Sequence, residues 1–250
     1  MNTEQQTSLF DLASRALDEA ERVWKKVSDE MLSFSLTNES LVKKAAETQI
    51  PGYPIIEDGE PIVDEFICLI ADMRGSTMHL LQDISKKIAD VTQLQRVYYE
   101  TSALLPSLAQ VIAWEDGRVT EYLGDGVLGL FKATPETDKA VYAANRAAKN
   151  CIEAVRMVVN PLLKNRYHLP DLEIGVGMAY SKAVISLVGL DTYKQPKVFG
   201  ECVFRASKLS KGKNIIIIDK KMHWVWPSSK DGTQRFFQRK CGDIEGFQVL

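Results

Sequence analysis

Along the first part of the chain, apolar residues recur at helical spacing. Leu9, Leu12, Ala16, Ala20, Val23 and Val27 fall three or four apart with charged residues between them, which predicts a long amphipathic helix over residues 3–34. Such a helix needs an apolar surface to cover, its own core or a second subunit. Residues 41–48 read as a further helical piece. The texture then changes: Pro51-Gly52-Tyr53-Pro54 and Asp58-Gly59-Glu60-Pro61 are turn signals. They divide the chain into an N-terminal helical extension with linker, residues 1–60, and a main domain, residues 61–250.

The main domain alternates short strands with helices. Residues 66–71 (FICLIA) form a compact apolar run, read as a buried strand that ends at Asp72. Gly75-Ser76-Thr77 follows and leads into a helical region through Lys87, with Ser76 or Thr77 as N-cap. Residues 91–114 are helical again, interrupted at Pro106. Residues 118–131 (RVTEYLGDGVLGLF) set two apolar runs around Gly124-Asp125-Gly126, a hairpin signature. A long helix is expected over 136–163. Residues 172–180 alternate as a strand, and 183–188 continue it or pair with it. Residues 200–209 enter another helix, 214–218 are a buried strand, and 235–239 with 244–249 make a closing pair. Mixed order with hairpins favours an α+β sandwich over a doubly wound parallel sheet.

Composition narrows the function classes. The chain has 250 residues, 45% of them hydrophobic and 26% charged, with a net charge of −2. That is an ordinary globular balance without the basic bias of a nucleic-acid binder. Cys68, Cys151, Cys202 and Cys241 form no CxxC pair and read as reduced thiols. His79, His168 and His223 form no HExxH motif. No apolar run reaches membrane-spanning length, and the polar start carrying Glu4 does not read as a signal peptide. A cytoplasmic protein without a membrane span is the expectation. Trp224 and Trp226 are read as packing residues.

Two aspartates occupy positions suited to chemistry. Asp72 ends a buried strand before a turn into a helix, and Asp125 sits at a hairpin tip. If the hairpin packs beside the strand, both carboxylates leave the same edge of the sheet. Magnesium takes one or two carboxylates together with substrate phosphates, and a two-metal site can activate an oxygen nucleophile. Read singly, Asp125 is a good turn residue and Asp72 a helix cap. Together with the flanking glycines they read as a site. The segment from Asp72 to Thr77 also offers N–H groups to an anion. It is not a Walker motif, because that motif's lysine is missing.

These blocks resemble the catalytic domain of class III nucleotidyl cyclases, the adenylyl and guanylyl cyclase type. IADMRGST and EYLGDGVLGLF resemble the two metal-aspartate blocks, and LEIGVGMAYSKAVISLVG the strand block after them. KVFGECVFRASKLS resembles the helix facing the triphosphate, and RKCGDIEGFQVL the C-terminal hairpin. The resemblance runs over residues 63–250. It implies a ferredoxin-like α+β core, an antiparallel-rich sheet with helices on one face, working as a head-to-tail homodimer with sites at the interface. It further implies two Mg²⁺ or Mn²⁺ ions per site, held by Asp72, Asp125 and the Met73 carbonyl. Arg74, Gly75, Ser76 and Thr77 would lie at the phosphates of a nucleoside triphosphate. That substrate would close to a 3′,5′-cyclic monophosphate with loss of pyrophosphate.

The departures from the family pattern bear on substrate. The two base-reading positions carry Glu121 and Lys197, which is neither the usual adenine pair nor the usual guanine pair. The transition-state asparagine and arginine align with Phe204 and Lys208, with Arg205 adjacent, and Glu173 stands where an arginine often precedes the GVG strand. The triphosphate lysine aligns with Cys241, beside Arg239 and Lys240. The altered pair resembles the pyrimidine cyclases of bacterial Pycsar anti-phage systems. The resemblance implies cyclic UMP or cyclic CMP as product, UTP being favoured over CTP, and an effector that senses it. Glutamate accepts from the cytosine amino group, and uracil N3–H fits as well. The alternatives are a purine cyclase with unusual base contacts and a catalytically inactive nucleotide-binding or dimerisation module.

Overall fold

The computed structural model describes residues 45–81, 93–190, 192–228 and 232–250. The helix expected over residues 3–34 and the stretch 82–87 lie outside them. The chain divides into two compact units. The smaller takes in 55–63 and 184–199 with the segment ending at Thr48, and the larger comprises 49–54, 64–183 and 200–250.

In the smaller unit, β1 (Ala45–Glu47) pairs antiparallel with β2 (Ile55–Glu57). The helical reading of 41–48 is therefore corrected at 45–47. Three residues whose backbone bonds to a partner strand take the extended form regardless of weak helical spacing. Lys194 and Asp58 form a 2.6 Å ion pair in this unit.

The larger unit is built around one sheet. Its strands are β3 (Ile62–Met73), β4 (Arg118–Tyr122), β5 (Gly126–Lys132), β6 (Ile174–Leu190), β8 (Ile216–Asp219), β9 (Phe236–Cys241) and β10 (Ile244–Val249). They run in the order β4-β5-β3-β6-β8-β10-β9; β7 (Tyr193–Gly200) pairs β6 outside that path, and residues 184–199 of these two strands belong to the smaller unit. β3 and β4 each pair antiparallel with β5, β10 pairs antiparallel with β8 and β9, and β6 pairs parallel with β8. Both faces of β3 are covered, which is why its sequence reads as a continuous apolar run rather than an alternation. Residues 172–180 and 183–188 prove to be one strand, β6, reaching from Ile174 to Leu190.

The helices are α1 (Ser76–Leu81), α2 (Gln93–Trp114), α3 (Thr137–Ala154), α4 (Asn160–Tyr167), α5 (Glu201–Leu209) and α6 (Lys220–Trp224), with a π turn over Val155–Val159. α2 continues through Pro106, so the expected interruption does not occur. A proline inside a helix costs about 3 kcal/mol. Burial of Leu104, Leu108, Val111 and Ile112 around it offsets that, at about 1.5–3 kcal/mol per side chain.

One large apolar cluster joins α2, α3 and α4 to Ile67, Leu69, Ala71 and Met73 of β3 and to Ile174, Val176 and Met178 of β6. α5 lies on the opposite face. A Cβ on Gly177 would stand 2.1 Å from the Ala206 carbonyl, and one on Gly175 2.0 Å from that of Ser210. Only glycine lets α5 and its exit lie so close to β6. No described helix is long and apolar enough to cross a membrane. All four cysteines are free thiols. Trp226 packs edge-on to Phe236, but Trp224 is 84% exposed, so its reading as a packing residue is corrected.

Candidate active site

The site is assembled by the β3–β5 register. Asp72 is the Cα partner of Gly126, which sets the end of β3 beside the hairpin tip. The hairpin closes through Leu123 N–H donating to the Gly126 carbonyl at 2.8 Å. Gly124 takes φ +86° at the first central position, where a two-residue hairpin loop wants glycine. Asp125 is thereby held at the tip, and its carbonyl accepts from Met73 N–H at 3.1 Å. A Cβ on Gly126 would lie 3.0 Å from Asp72 Oδ1 and 2.6 Å from the Ala71 carbonyl. The two aspartates, foreseen as neighbours at one sheet edge, are neighbours. Met73 meets the hairpin tip through its backbone N–H, and its side chain is buried in the core.

Arg74 balances this negative charge. Its guanidinium pairs with the Asp72 carboxylate, and its Nε donates to the Asp72 carbonyl at 3.3 Å. Burial lowers the Arg74 pKa, and the nearby Asp125 charge pulls it back up. After Arg74 the chain turns at Gly75, φ +76°, and enters α1 at Ser76 and Thr77. The opening N–H groups of a helix have no intrahelical acceptor.

The donor set suits a hard divalent cation. It offers two carboxylates and a backbone carbonyl at one strand end, already drawing a guanidinium, and magnesium or manganese completes such a shell with phosphate oxygens. Among the described residues no three His, Cys, Asp or Glu side chains converge.

Glu121 reaches the same face through a bulge. β4 pairs Val119 with Gly129 and then Glu121, not Thr120, with Leu128. Leu128 in turn pairs with Ile70, two residues before Asp72. Side chains alternate along a strand, so Glu121 stands on the face of Asp72 rather than on the helical side. Burial pushes the Cys68 thiol well up, and the nearby Cys202 and Glu121 add to that.

The remaining predicted residues are spread out. Lys197 lies on β7 in the smaller unit. Arg205 is held by Glu201 of its own helix. Lys221 and Arg205 together keep the Glu201 carboxyl below the usual range. Lys208 extends along the exposed Phe204 ring, 5.6 Å from its centroid. On β9, Arg239 donates to Gln248 at 2.9 Å and lies over Phe237. Lys240 stands opposite Glu245 in the β9–β10 register. Four strand-to-strand steps separate β9 from β3, roughly 19 Å at the usual spacing. Arg239 and Lys240 are therefore not brought to the aspartates of their own chain.

Sequence reasoning missed a polar trio around a buried carboxylate. Glu100 of α2 is fully buried, with Oε1 accepting from Arg96 at 2.8 Å and Oε2 bonded to His79 Nδ1 at 2.8 Å. The four-residue spacing of Arg96 and Glu100 was a visible pairing signal. His79, from another helix, was not.

No family model matches the chain, and no curated protein matches it. Solved structures do. The guanylyl cyclase Cya2 is similar at 21% identity over 75% of this chain and 91% of that one, with a TM-score of 0.58. The adenylyl cyclase CyaB from P. aeruginosa is similar at 16% identity over 76% and 96%, with a TM-score of 0.61. The guanylate cyclase domain of RhGC from Catenaria anguillulae, solved with GTP, is similar at 15% identity over 74% and 94%, with a TM-score of 0.51. At such identities the likeness is one of fold. The mixed α+β sheet and its helices have the fold of the class III cyclase catalytic core.

Proposed function

We propose that this chain is a metal-dependent nucleotidyl cyclase that converts a pyrimidine nucleoside triphosphate, UTP before CTP, into a 3′,5′-cyclic monophosphate and pyrophosphate. The observation that carries the reading is the pair Asp72 and Asp125, set side by side by the Asp72–Gly126 register and the Met73–Asp125 backbone bond. What supports a pyrimidine is the residue types at the two base-reading positions of the resemblance, Glu121 and Lys197. Glutamate accepts from uracil N3–H or the cytosine amino group, and lysine donates to a ring carbonyl. In this reading the product is a second messenger in anti-phage defence, sensed by a separate effector.

In the reaction, the ribose 3′-hydroxyl gives up its proton to water and its oxygen bonds to the α-phosphorus. The bond from that phosphorus to the pyrophosphate oxygen breaks, and pyrophosphate leaves with the electron pair. Two Mg²⁺ or Mn²⁺ ions held by Asp72, Asp125 and the Met73 carbonyl would lower the pKa of the 3′-hydroxyl and neutralise phosphate charge. Arg74, Gly75, Ser76 and Thr77 receive the phosphates, with Arg74 turning from Asp72 to a phosphate oxygen. From a second copy of the chain, Arg205 and Lys208 stabilise the developing charge, and Arg239 and Lys240 bind the triphosphate. What supports a two-chain site is the separation of β9 from β3 within one chain.

A second reading, a nucleotide-binding or dimerisation fold without turnover, draws on the Arg205–Glu201 ion pair, which engages the guanidinium adjacent to the family's transition-state positions. One experiment separates the readings. The protein is incubated with Mn²⁺ and each of ATP, GTP, CTP and UTP, beside an Asp125→Ala variant, and products are read by mass spectrometry. Cyclic UMP or cyclic CMP, absent with the variant, is the expected result. Cyclic AMP or GMP would overturn the base assignment, and no cyclic product from any triphosphate would overturn the enzyme.

A further inference from the structure

The Arg96–Glu100–His79 trio has no part in the chemistry above, yet it borders the turn that would hold the triphosphate. Glu100 is 0% exposed and Arg96 6%. Burying a charged cluster is no efficient route to stability, since apolar side chains of similar volume commonly do as well. The contacts show what these groups arrange instead.

Arg96 Nε donates to Glu100 Oε1, and Glu100 Oε2 takes His79 Nδ1. A carboxylate can only accept, so Nδ1–H of His79 donates and the ring orientation is fixed. The other ring nitrogen then faces Gly75: Nε2 lies 3.9 Å from where a Gly75 Cβ would be. The backbone grips the same residue, because Met78 N–H and His79 N–H both donate to the Gly75 carbonyl, at 2.8 and 3.1 Å. Gly75 holds φ +76°, one of several conformations a glycine adopts at little cost, so its own backbone does not select it. A continuous series of contacts thus runs from α2 through Glu100 and His79 to the turn between Asp72 and α1.

We propose that His79, held by Glu100 and Arg96, is a positioning residue that fixes the Gly75 turn for a triphosphate. This rests on the cyclase reading of that turn. His79 touches neither reacting atoms nor cation ligands; it acts by holding the N–H groups of Gly75, Ser76 and Thr77 in one orientation.

The test compares the full chain with His79→Ala, His79→Asn and Glu100→Gln. Asparagine keeps a donor near the Nδ1 position but has no ring over Gly75. Amide hydrogen exchange is measured without ligand, and binding of inorganic tripolyphosphate with Mn²⁺ is followed by calorimetry, which makes the reading independent of the base. His79→Ala and Glu100→Gln are expected to exchange faster across 75–78, with 126–132 unchanged. Their tripolyphosphate affinity falls about tenfold, the low end of what losing a supporting side chain costs a bound ion. His79→Asn recovers less than half of that loss. Unchanged exchange at 75–78, faster exchange spread evenly over the domain, or faster exchange with unchanged affinity would each overturn the proposal. Failure of the parent protein to bind tripolyphosphate would instead count against the cyclase reading, and the exchange comparison would still decide whether His79 holds the turn.

Discussion

Gly126 and Gly124 flank the same aspartate, and replacing each by alanine should fail for different reasons. At Gly126 the new Cβ would stand 2.6 Å from the Ala71 carbonyl and 3.0 Å from both Cα and Oδ1 of Asp72. Optimal contacts are about 3.5–4.0 Å, so β3 and β5 must part by more than half an ångström at the Asp72–Gly126 pair. Overpacking of this kind costs about 1–3 kcal/mol. For a domain of this size that lowers Tm by about 2–4 °C per kcal/mol. The displacement falls on Asp72 itself, so Mn²⁺ affinity should fall with Tm. At Gly124 a Cβ meets nothing within 4 Å, but φ is +86°, and a side chain there pays only for backbone handedness, about 1–2 kcal/mol. Asparagine, which tolerates that region, should recover part of the loss at Gly124 and none at Gly126. Differential scanning calorimetry with and without Mn²⁺, and Mn²⁺ titration followed by electron paramagnetic resonance, read both effects. A Gly126→Ala protein with the parent's Tm and Mn²⁺ affinity would refute the close approach of β3 and β5 on which the site is built.

Three other outcomes are expected. Arg74→Gln removes the cation facing Asp72 and Asp125; Mn²⁺ alone should bind more tightly, by about twofold to fivefold on the scale of a partly screened ion pair, while Mn²⁺ with tripolyphosphate binds more weakly. Equal affinities in the two titrations would show that Arg74 guards neither. Asp219 is buried with Oδ1 accepting from Met222 and Tyr180 N–H and Oδ2 unpartnered, and burial raises its pKa. A raised acid costs native stability above its folded pKa, and that cost disappears as pH falls below the unfolded value of 3.8. The stability of Asp219→Asn relative to the parent should therefore be highest near pH 7 and decline towards pH 4 in urea titrations; a pH-independent difference would contradict the assignment. Asn160 Nδ2 donates to the Leu172 carbonyl at 3.0 Å and its Oδ1 accepts from Leu172 N–H at 2.8 Å. Asn160→Ala leaves both buried groups unpaired and should cost about 2–4 kcal/mol, measured as a shift in the urea midpoint at constant slope.

Much of the candidate site was legible in the sequence because its parts are local. An apolar run ending in aspartate and a GDG turn between two apolar runs each describe a strand end and a hairpin, and these set Asp72 and Asp125 on their elements. The unbroken apolar run of β3 likewise announced a buried strand. Local pattern also misled in places. Pro106 marked a break that burial of its neighbours overrides, and residues 45–47 form a strand only because β2 is there to pair with them.

Tertiary structure decided whatever depends on which strands and helices meet. The bulge beside Thr120 turns Glu121 onto the face of Asp72, and nothing in RVTEY marks it, because a bulge is a mismatch between two strands rather than a property of one. Gly175 and Gly177 read only as small residues in a strand until α5 is seen lying across them. The pairing of Glu100 with His79 could not be read at all, since a partner on another helix is set by distance in space rather than by spacing along the chain. Residue order along the chain fixed the elements and the chemistry they carry, and packing fixed which of those chemistries stand together.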